Sequence, residues 1–68
     1  MKIEFDPKHD IMNIEFLRDV NIEESVETDG IIFDYSQDRK IVSVEILDAT
    51  KRISKDPLEM IDFAIVKG

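Results

Sequence analysis

The side chains best suited to chemistry in this sequence are three aspartates and the single histidine. Asp34, Asp38 and Asp48 lie in or beside apolar runs, and His9 lies in an Asp-Pro-Lys-His-Asp segment. Carboxylate oxygens bind hard cations such as calcium and magnesium, and a histidine with convergent partners acts as a general base. Gathered at one end of a sheet, these groups would form a metal-dependent or acid–base enzyme site.

A simpler interpretation is available for the same residues. Residues 34–40 lack the alternating oxygen ligands and the distal glutamate of a calcium-binding loop. Aspartates near turns usually bond the local backbone and close turns or cap helices, and one histidine in an exposed turn is typical of a solvated residue. We therefore assign no catalytic, cofactor-binding or metal-ligating residue and predict a non-enzyme. An enzyme that uses clustered aspartates is the alternative.

Size and composition limit what the chain can do. Its 68 residues form one domain at most and include no cysteine, and a chain this short buries only about 60% of its unfolded surface. Because disulfides are excluded, oligomerisation is the remaining way to complete a small core, and we predict a homo-oligomer. We also expect too little volume for a substrate cavity of several hundred Å³.

The charge balance restricts the partners. Sixteen acidic and nine basic side chains give a net charge of -7, which repels phosphate backbones and anionic lipids and attracts a basic protein partner. No apolar stretch approaches the roughly 20 residues of a membrane span, and the N-terminus lacks the apolar run of a signal peptide. We predict a cytoplasmic protein that binds a protein partner, with no direct contact to nucleic acid or membrane.

Alternation of apolar and polar residues predicts a sheet. The period of two appears in residues 1–5, 11–17 and 41–47, and more weakly in residues 23–29, and residues 31–35 are a strand-like apolar run. We place residues 23–29 at an edge and residues 41–47 at the centre. Turns are predicted at residues 6–10, 18–21 and 36–40, with a bulge or bend at Gly30. The predicted core residues are Met12, Phe16, Phe33, Tyr35 and Phe63.

The C-terminal third carries helix signals. Asp48 is predicted to cap a short helical turn over residues 49–52, in which Lys51 and Arg52 pair with nearby carboxylates. Asp56-Pro57 is a second helix start signal, and residues 57–66 fit a helix or a final strand equally well. The predicted fold is α+β: an antiparallel β-meander with one or two short C-terminal helices on one face. Residues 1–48 form the sheet and residues 49–68 a helical appendage of the same single domain.

A family resemblance covers about residues 1–52. The pattern of an apolar strand, Asp-Tyr, a polar turn and an apolar strand that ends in Leu-Asp-Ala resembles the family called domain of unknown function 2283. The matching residues in this segment are Gly30, Asp34, Tyr35, Asp38, Ile41, Val42, Glu45, Ile46, Leu47, Asp48 and Ala49. Phe5-Asp6-Pro7 and residues 10–14 match the N-terminal part, although Asn13 replaces the family's tyrosine.

Two further departures concern glycines of the family pattern, which are Arg39 and Ser43 here. Because arginine tolerates positive φ less well than glycine, we expect a different turn type at Arg39. The resemblance implies a small antiparallel sheet with a helical appendage, in prokaryotic proteins of which some are encoded beside small toxins. The function predicted for this chain is a non-enzymatic protein-interaction module that self-associates or neutralises a small basic partner in the manner of an antitoxin.

Overall fold

The computed structural model describes residues 1–52 and 63–67. The strands are β1 (Lys2–Asp6), β2 (Ile11–Glu15), β3 (Glu24–Thr28), β4 (Ile31–Tyr35) and β5 (Ile41–Leu47), and a four-residue helix, α1 (Ala49–Arg52), follows them. The strands form one antiparallel sheet in the order β1-β2-β5-β4-β3. The predicted antiparallel sheet, with residues 41–47 at its centre and residues 23–29 at an edge, is confirmed.

The predicted meander order is wrong. β5 lies between β2 and β4 and pairs with both, so β2 and β3 are consecutive in sequence without being neighbours. Hydrophobic alternation identifies strands and their buried faces, but it carries no information about which strands pair. The described part is mostly β with one short helix, and α+β therefore holds only roughly.

The predictions for residues 57–66 lie largely outside the described residues, and residues 63–67 have no regular secondary structure. The division at residue 48 remains a prediction. No helix in the described part of the chain has the length and apolar character needed to cross a membrane.

The pairing register divides the sheet into two chemically different faces, because paired residues point to the same side and successive residues to opposite sides. The apolar face carries Ile3, Phe5, Met12, Ile14, Val26, Thr28, Ile31, Phe33, Val44 and Ile46, and the pair Glu24–Tyr35 lies at its end. The polar face carries Lys2, Glu4, Asp6, Ile11, Asn13, Glu15, Ser25, Glu27, Ile32, Asp34, Ser43, Glu45 and Leu47. The acidic charge of the strands is therefore concentrated on one side of the sheet.

Gly30 belongs to a tight hairpin turn rather than to the predicted bulge or bend. Asp29 and Gly30 join β3 to β4 with φ values of 51° and 76°, and two consecutive positive φ values are the signature of a type I′ turn, for which Asp-Gly is a preferred sequence. A Cβ atom at Gly30 would lie 2.5 Å from a terminal nitrogen of Arg52. The guanidinium of Arg52 also donates a hydrogen bond to the carbonyl of Asp29, which ties α1 to this turn.

The N-terminus of α1 is capped by Asp10 rather than by the predicted Asp48. The Thr50 N–H donates to Oδ1 of Asp10 at 3.0 Å, and the Thr50 hydroxyl donates to Oδ2 at 2.7 Å. The Ala49 N–H donates to the Asp10 carbonyl at 3.0 Å. Asp48 has a φ of 51° instead of the extended backbone of a residue that caps its own helix, so a residue from the β1–β2 turn supplies the acceptor.

The core is small. Among the described residues, the buried apolar side chains are Met12, Val42 and Ala49. The core predictions for Phe16 and Phe63 are wrong, since these rings are 47% and 77% exposed. Phe16 follows the last residue of β2, so the alternation of strand side chains between the two faces of the sheet no longer sets the direction of its ring.

Candidate functional site

Asp34 is the most deeply buried ionisable side chain in the described residues. It lies inside β4 on the polar face and is 2% exposed. Its Oδ1 accepts a hydrogen bond from the Ser25 hydroxyl at 2.6 Å, and its Oδ2 accepts one from the Ser43 hydroxyl at 2.7 Å. The interpretation of Asp34 as a turn-closing residue is therefore wrong, because both of its partners come from neighbouring strands.

Glu45 forms a carboxyl pair with Asp34. Burial raises the pKa of Asp34, but hydrogen bonds from Ser25 and Ser43 and a hydrogen bond with Glu45 outweigh burial and leave the pKa below its ordinary value. The pKa of Glu45 moves the other way: burial, the hydrogen bond with Asp34 and repulsion from its charge all raise it. Asp34 is therefore the ionised member of the pair, and Glu45 holds its proton to higher pH.

A groove runs beside this pair. Its volume is about 580 Å³, and it lies between the polar face and the connection from β2 to β3. The lining residues are Asn13, Glu15, Leu17, Asp19, Val20, Asn21, Ile22, Asp34, Val42, Ser43 and Glu45. The expectation that the chain has no room for such a cavity is wrong.

The strand order explains the groove. Because β5 and β4 separate β2 from β3, the connecting chain crosses two strands instead of making a tight turn. The backbone N–H groups of Phe16 and Leu17 both donate to the Val42 carbonyl, at 2.8 and 3.1 Å, which anchors the connection where it leaves β2. The N–H of Glu23 donates to the Tyr35 carbonyl at 2.7 Å where the connection reaches β3.

The structure does not bring Asp34, Asp38 and Asp48 together. Asp38 lies in the β4–β5 turn, where it accepts a hydrogen bond from the Ser36 hydroxyl and lies 3.6 Å from Nζ of Lys40. Asp48 follows β5 and lies 3.8 Å from Nζ of Lys51. The seven residues of β5 separate these two aspartates, which corresponds to roughly 20 Å at the rise of a strand.

His9 lies in the β1–β2 turn, away from the three aspartates, and its partner there is Asp6. Its Nδ1 lies 2.7 Å from Oδ2 of Asp6, and Oδ1 of Asp6 accepts the backbone N–H groups of Lys8 and His9 at 3.0 and 3.3 Å. The hydrogen bond from His9 lowers the pKa of Asp6. Within residues 1–52 and 63–67, no group of three histidine, aspartate or glutamate side chains is arranged to hold a metal ion.

Sequence reasoning missed the partners of Asp34. Ser25 lies on β3, and Ser43 and Glu45 lie on β5, and only the register of these strands with β4 brings them to Asp34. The available signal was an aspartate inside an apolar strand, which is unfavourable without hydrogen-bond donors nearby. The prediction that Lys51 and Arg52 pair with carboxylates is confirmed by Asp48 and by Asp29, whose Oδ2 lies 3.9 Å from Arg52.

Comparison with protein families gives one result that covers most of the chain. The model of the family described as "Protein of unknown function (DUF2283)" matches residues 2–49. This chain belongs to the DUF2283 family. The match spans all five strands and ends at the first residue of α1, and it confirms the resemblance seen in the sequence. Searches of curated proteins and of solved structures gave no match.

Two departures from the DUF2283 pattern can now be located. Arg39 has a φ of 67°, the left-handed conformation that a glycine favours, and adopts it although its side chain makes that conformation less favourable. Its guanidinium pairs with Glu24 at 2.5 Å and lies 5.3 Å from the centre of the Tyr35 ring. Ser43, the other replacement for glycine, supplies one of the two hydroxyl groups that bind Asp34.

Proposed function

We propose that this DUF2283 protein is a non-enzymatic protein-interaction module that self-associates through the apolar face of its sheet and presents the polar face to a basic partner. The incomplete core is the observation that carries this proposal. Only Met12, Val42 and Ala49 are buried apolar residues in the described part of the chain, whereas Ile3 and Val26 are 42% and 41% exposed. These exposed residues lie on β1 and β3, the two edge strands, so the apolar face remains accessible at both sides.

A second copy of the chain is the occupant that fits this face. Among the described strand residues of this face, the one carboxylate is Glu24, and it is paired with Arg39, so the face offers no unpaired charge to select a charged partner. Two flat apolar sheet faces pack at about 10 Å from one another, and a two-fold axis brings the same patch of each copy together. The contact would supply the core that a chain of this size cannot complete alone.

The polar face is suited to a different partner. Its described strand residues include the acidic Glu4, Asp6, Glu15, Glu27, Asp34 and Glu45 against one basic residue, Lys2. In a dimer joined through the apolar faces, both acidic faces point outward. Charge of one sign on an exposed surface accelerates association with a partner of the opposite sign.

Sedimentation across a range of micromolar concentrations tests self-association, with two variants that each raise the net charge by one. Val26→Lys places a charge on the apolar face, and Glu27→Gln removes one from the polar face at the next residue. We expect the wild-type protein and Glu27→Gln to be dimers and Val26→Lys to be a monomer. Wild-type protein that stays monomeric over this concentration range would overturn the proposal.

A further inference from the structure

The groove beside Asp34 and Glu45 is lined by both apolar and acidic residues. Its lining includes four apolar residues, Leu17, Val20 and Ile22 from the connection and Val42 from β5. The strand side carries the carboxyl groups of Glu15, Asp34 and Glu45, and Asp19 adds a fourth from the connection. A long side chain with a charged end and an aliphatic stem matches such a mixed surface.

The groove carboxyl groups have no cation of their own in the described residues. The ion pairs of the described part of the chain all lie elsewhere: they are Lys2–Glu4, His9–Asp6, Arg39–Glu24, Lys40–Asp38, Lys51–Asp48 and Arg52–Asp29. None of them involves Glu15, Asp19, Asp34 or Glu45. The partners of Asp34 are the hydroxyl groups of Ser25 and Ser43, which leave the negative charge of the pair in place.

We propose that this groove binds an arginine side chain of a basic partner protein, with the guanidinium against Glu45 and Glu15 and the aliphatic stem against Leu17 and Val20. The planar guanidinium presents several N–H donors in a fixed arrangement that suits adjacent carboxyl groups. The groove is partly open to solvent and, at about 580 Å³, larger than one side chain, so it leaves room for neighbouring residues of the partner. This inference rests on the proposed function and names the chemistry of the partner.

The raised pKa of Glu45 is in accord with this assignment. Burial and the nearby charge of Asp34 disfavour the ionised form of Glu45 in the free protein. A guanidinium in the groove favours that ionised form, so binding is expected to release protons near the pKa of Glu45.

A short peptide of alternating arginine and glycine is the probe, and the same peptide with citrulline in place of arginine is the neutral control. We expect the arginine peptide to cause saturable NMR shifts at Glu15, Leu17, Ser43 and Glu45, and the citrulline peptide to cause none. Equal responses to both peptides would overturn the proposal, as would unsaturated shifts spread evenly over Glu4 and Glu27. Free arginine amide that binds as tightly as the peptide would overturn the assignment to a protein segment.

Two variants with the same loss of charge locate the site. Glu45→Gln removes a carboxylate from the groove and is expected to weaken binding about tenfold. Glu27→Gln removes one from the same face outside the groove and is expected to leave the affinity within about twofold. Equal weakening by both variants would reduce the interaction to general charge attraction and contradict the proposal.

Sedimentation of the same samples separates this inference from the proposed function. A dimer that fails to bind the arginine peptide contradicts the groove assignment alone. A monomer that binds the peptide at Glu45 contradicts self-association alone.

Discussion

Ser43 donates its hydroxyl to the carboxylate of Asp34, 2.7 Å away, from the position directly opposite on the neighbouring strand. Both side chains are buried, at 5% and 2% exposure. The pair explains how an aspartate is accommodated inside β4, because each oxygen of its carboxylate receives a hydroxyl donor, the second one from Ser25. An isolated buried carboxylate without such donors would be strongly unfavourable.

Removal of the two hydroxyl donors is expected to have unequal effects. Ser43→Ala leaves a buried carboxylate oxygen without its donor and should lower the free energy of unfolding by about 1–3 kcal/mol. Ser25 lies on the exposed edge strand β3, where water replaces the lost hydroxyl, so Ser25→Ala should cost less than about 1 kcal/mol. Urea unfolding of both variants measures the difference, and equal losses would contradict the burial argument.

The pH dependence of stability is expected to carry the signature of Glu45. Folding raises the pKa of Glu45 above its ordinary value of 4.5. The free energy of unfolding is therefore expected to fall as the pH rises from 4.5 through the raised pKa, because the folded protein resists the ionisation of Glu45. Glu45→Gln cannot ionise and should be more stable than wild type at neutral pH, with a difference that disappears below pH 4.5. Glu27→Gln is the control for the loss of one charge.

Asp34, which is present in both wild type and Glu45→Gln, affects the pH dependence of stability in the opposite direction. Its lowered pKa contributes stability above the ordinary value of 3.8, and that stability is lost as the pH falls through the lowered pKa. The glutamine amide in Glu45→Gln can still donate a hydrogen bond to Asp34, as the protonated Glu45 does, so this contribution is expected to be similar in the two proteins. A difference between the two proteins that stays constant from pH 3 to pH 7, roughly the range over which carboxyl groups titrate, would show that Glu45 is not linked to folding.

The helix cap can be tested by two glycine substitutions with matched backbones. Asp10 and Asp48 have φ values of 56° and 51°, so glycine is conformationally acceptable at both positions. Asp10→Gly removes the acceptor for two donors of Thr50 and should lower the thermal midpoint by a few degrees more than Asp48→Gly. Circular dichroism melts give both midpoints. A larger decrease of the thermal midpoint in Asp48→Gly would indicate that Asp48 caps α1, as the sequence predicted.

Substitutions at Arg39 measure the conformational free energy of a non-glycine residue with positive φ in the β4–β5 turn. Arg39→Gly and Arg39→Ala both remove the contacts with Glu24 and Tyr35, but only alanine retains the Cβ that disfavours a φ of 67°. We expect the glycine variant to be more stable than the alanine variant by about 1 kcal/mol. Denaturant unfolding of the two variants provides the comparison, and a more stable alanine variant would argue against a left-handed residue at this position.

The sequence predicted the sheet well because alternation is a local property. The strands, the central position of β5 and the edge position of β3 all follow from which residues alternate and which are polar. The neighbour relationships do not, because the pairing of β2 with β5 joins segments about 30 residues apart. That one pairing creates the crossing connection and, with it, the groove that the sequence did not predict.

The candidate site could be predicted only in part for the same reason. Asp34 and Glu45 were visible as polar residues within apolar strands, but the serines that bind Asp34 are set by the register of three strands. Asp48 stood out in the sequence as a helix cap because it directly precedes α1. The actual cap, Asp10, lies 40 residues before Thr50 in the sequence, and only the pairing of β2 with β5 brings the two together.

The most direct test of the central proposal is an isotope-filtered NMR experiment on a mixture of labelled and unlabelled wild-type protein. Self-association through the apolar face predicts intermolecular contacts between the methyl groups of Ile3, Val26 and their neighbours on that face, and these contacts should be absent in Val26→Lys. If the methyl groups of Ile3 and Val26 show contacts only within one chain, the apolar face does not join two copies and the proposed function is wrong.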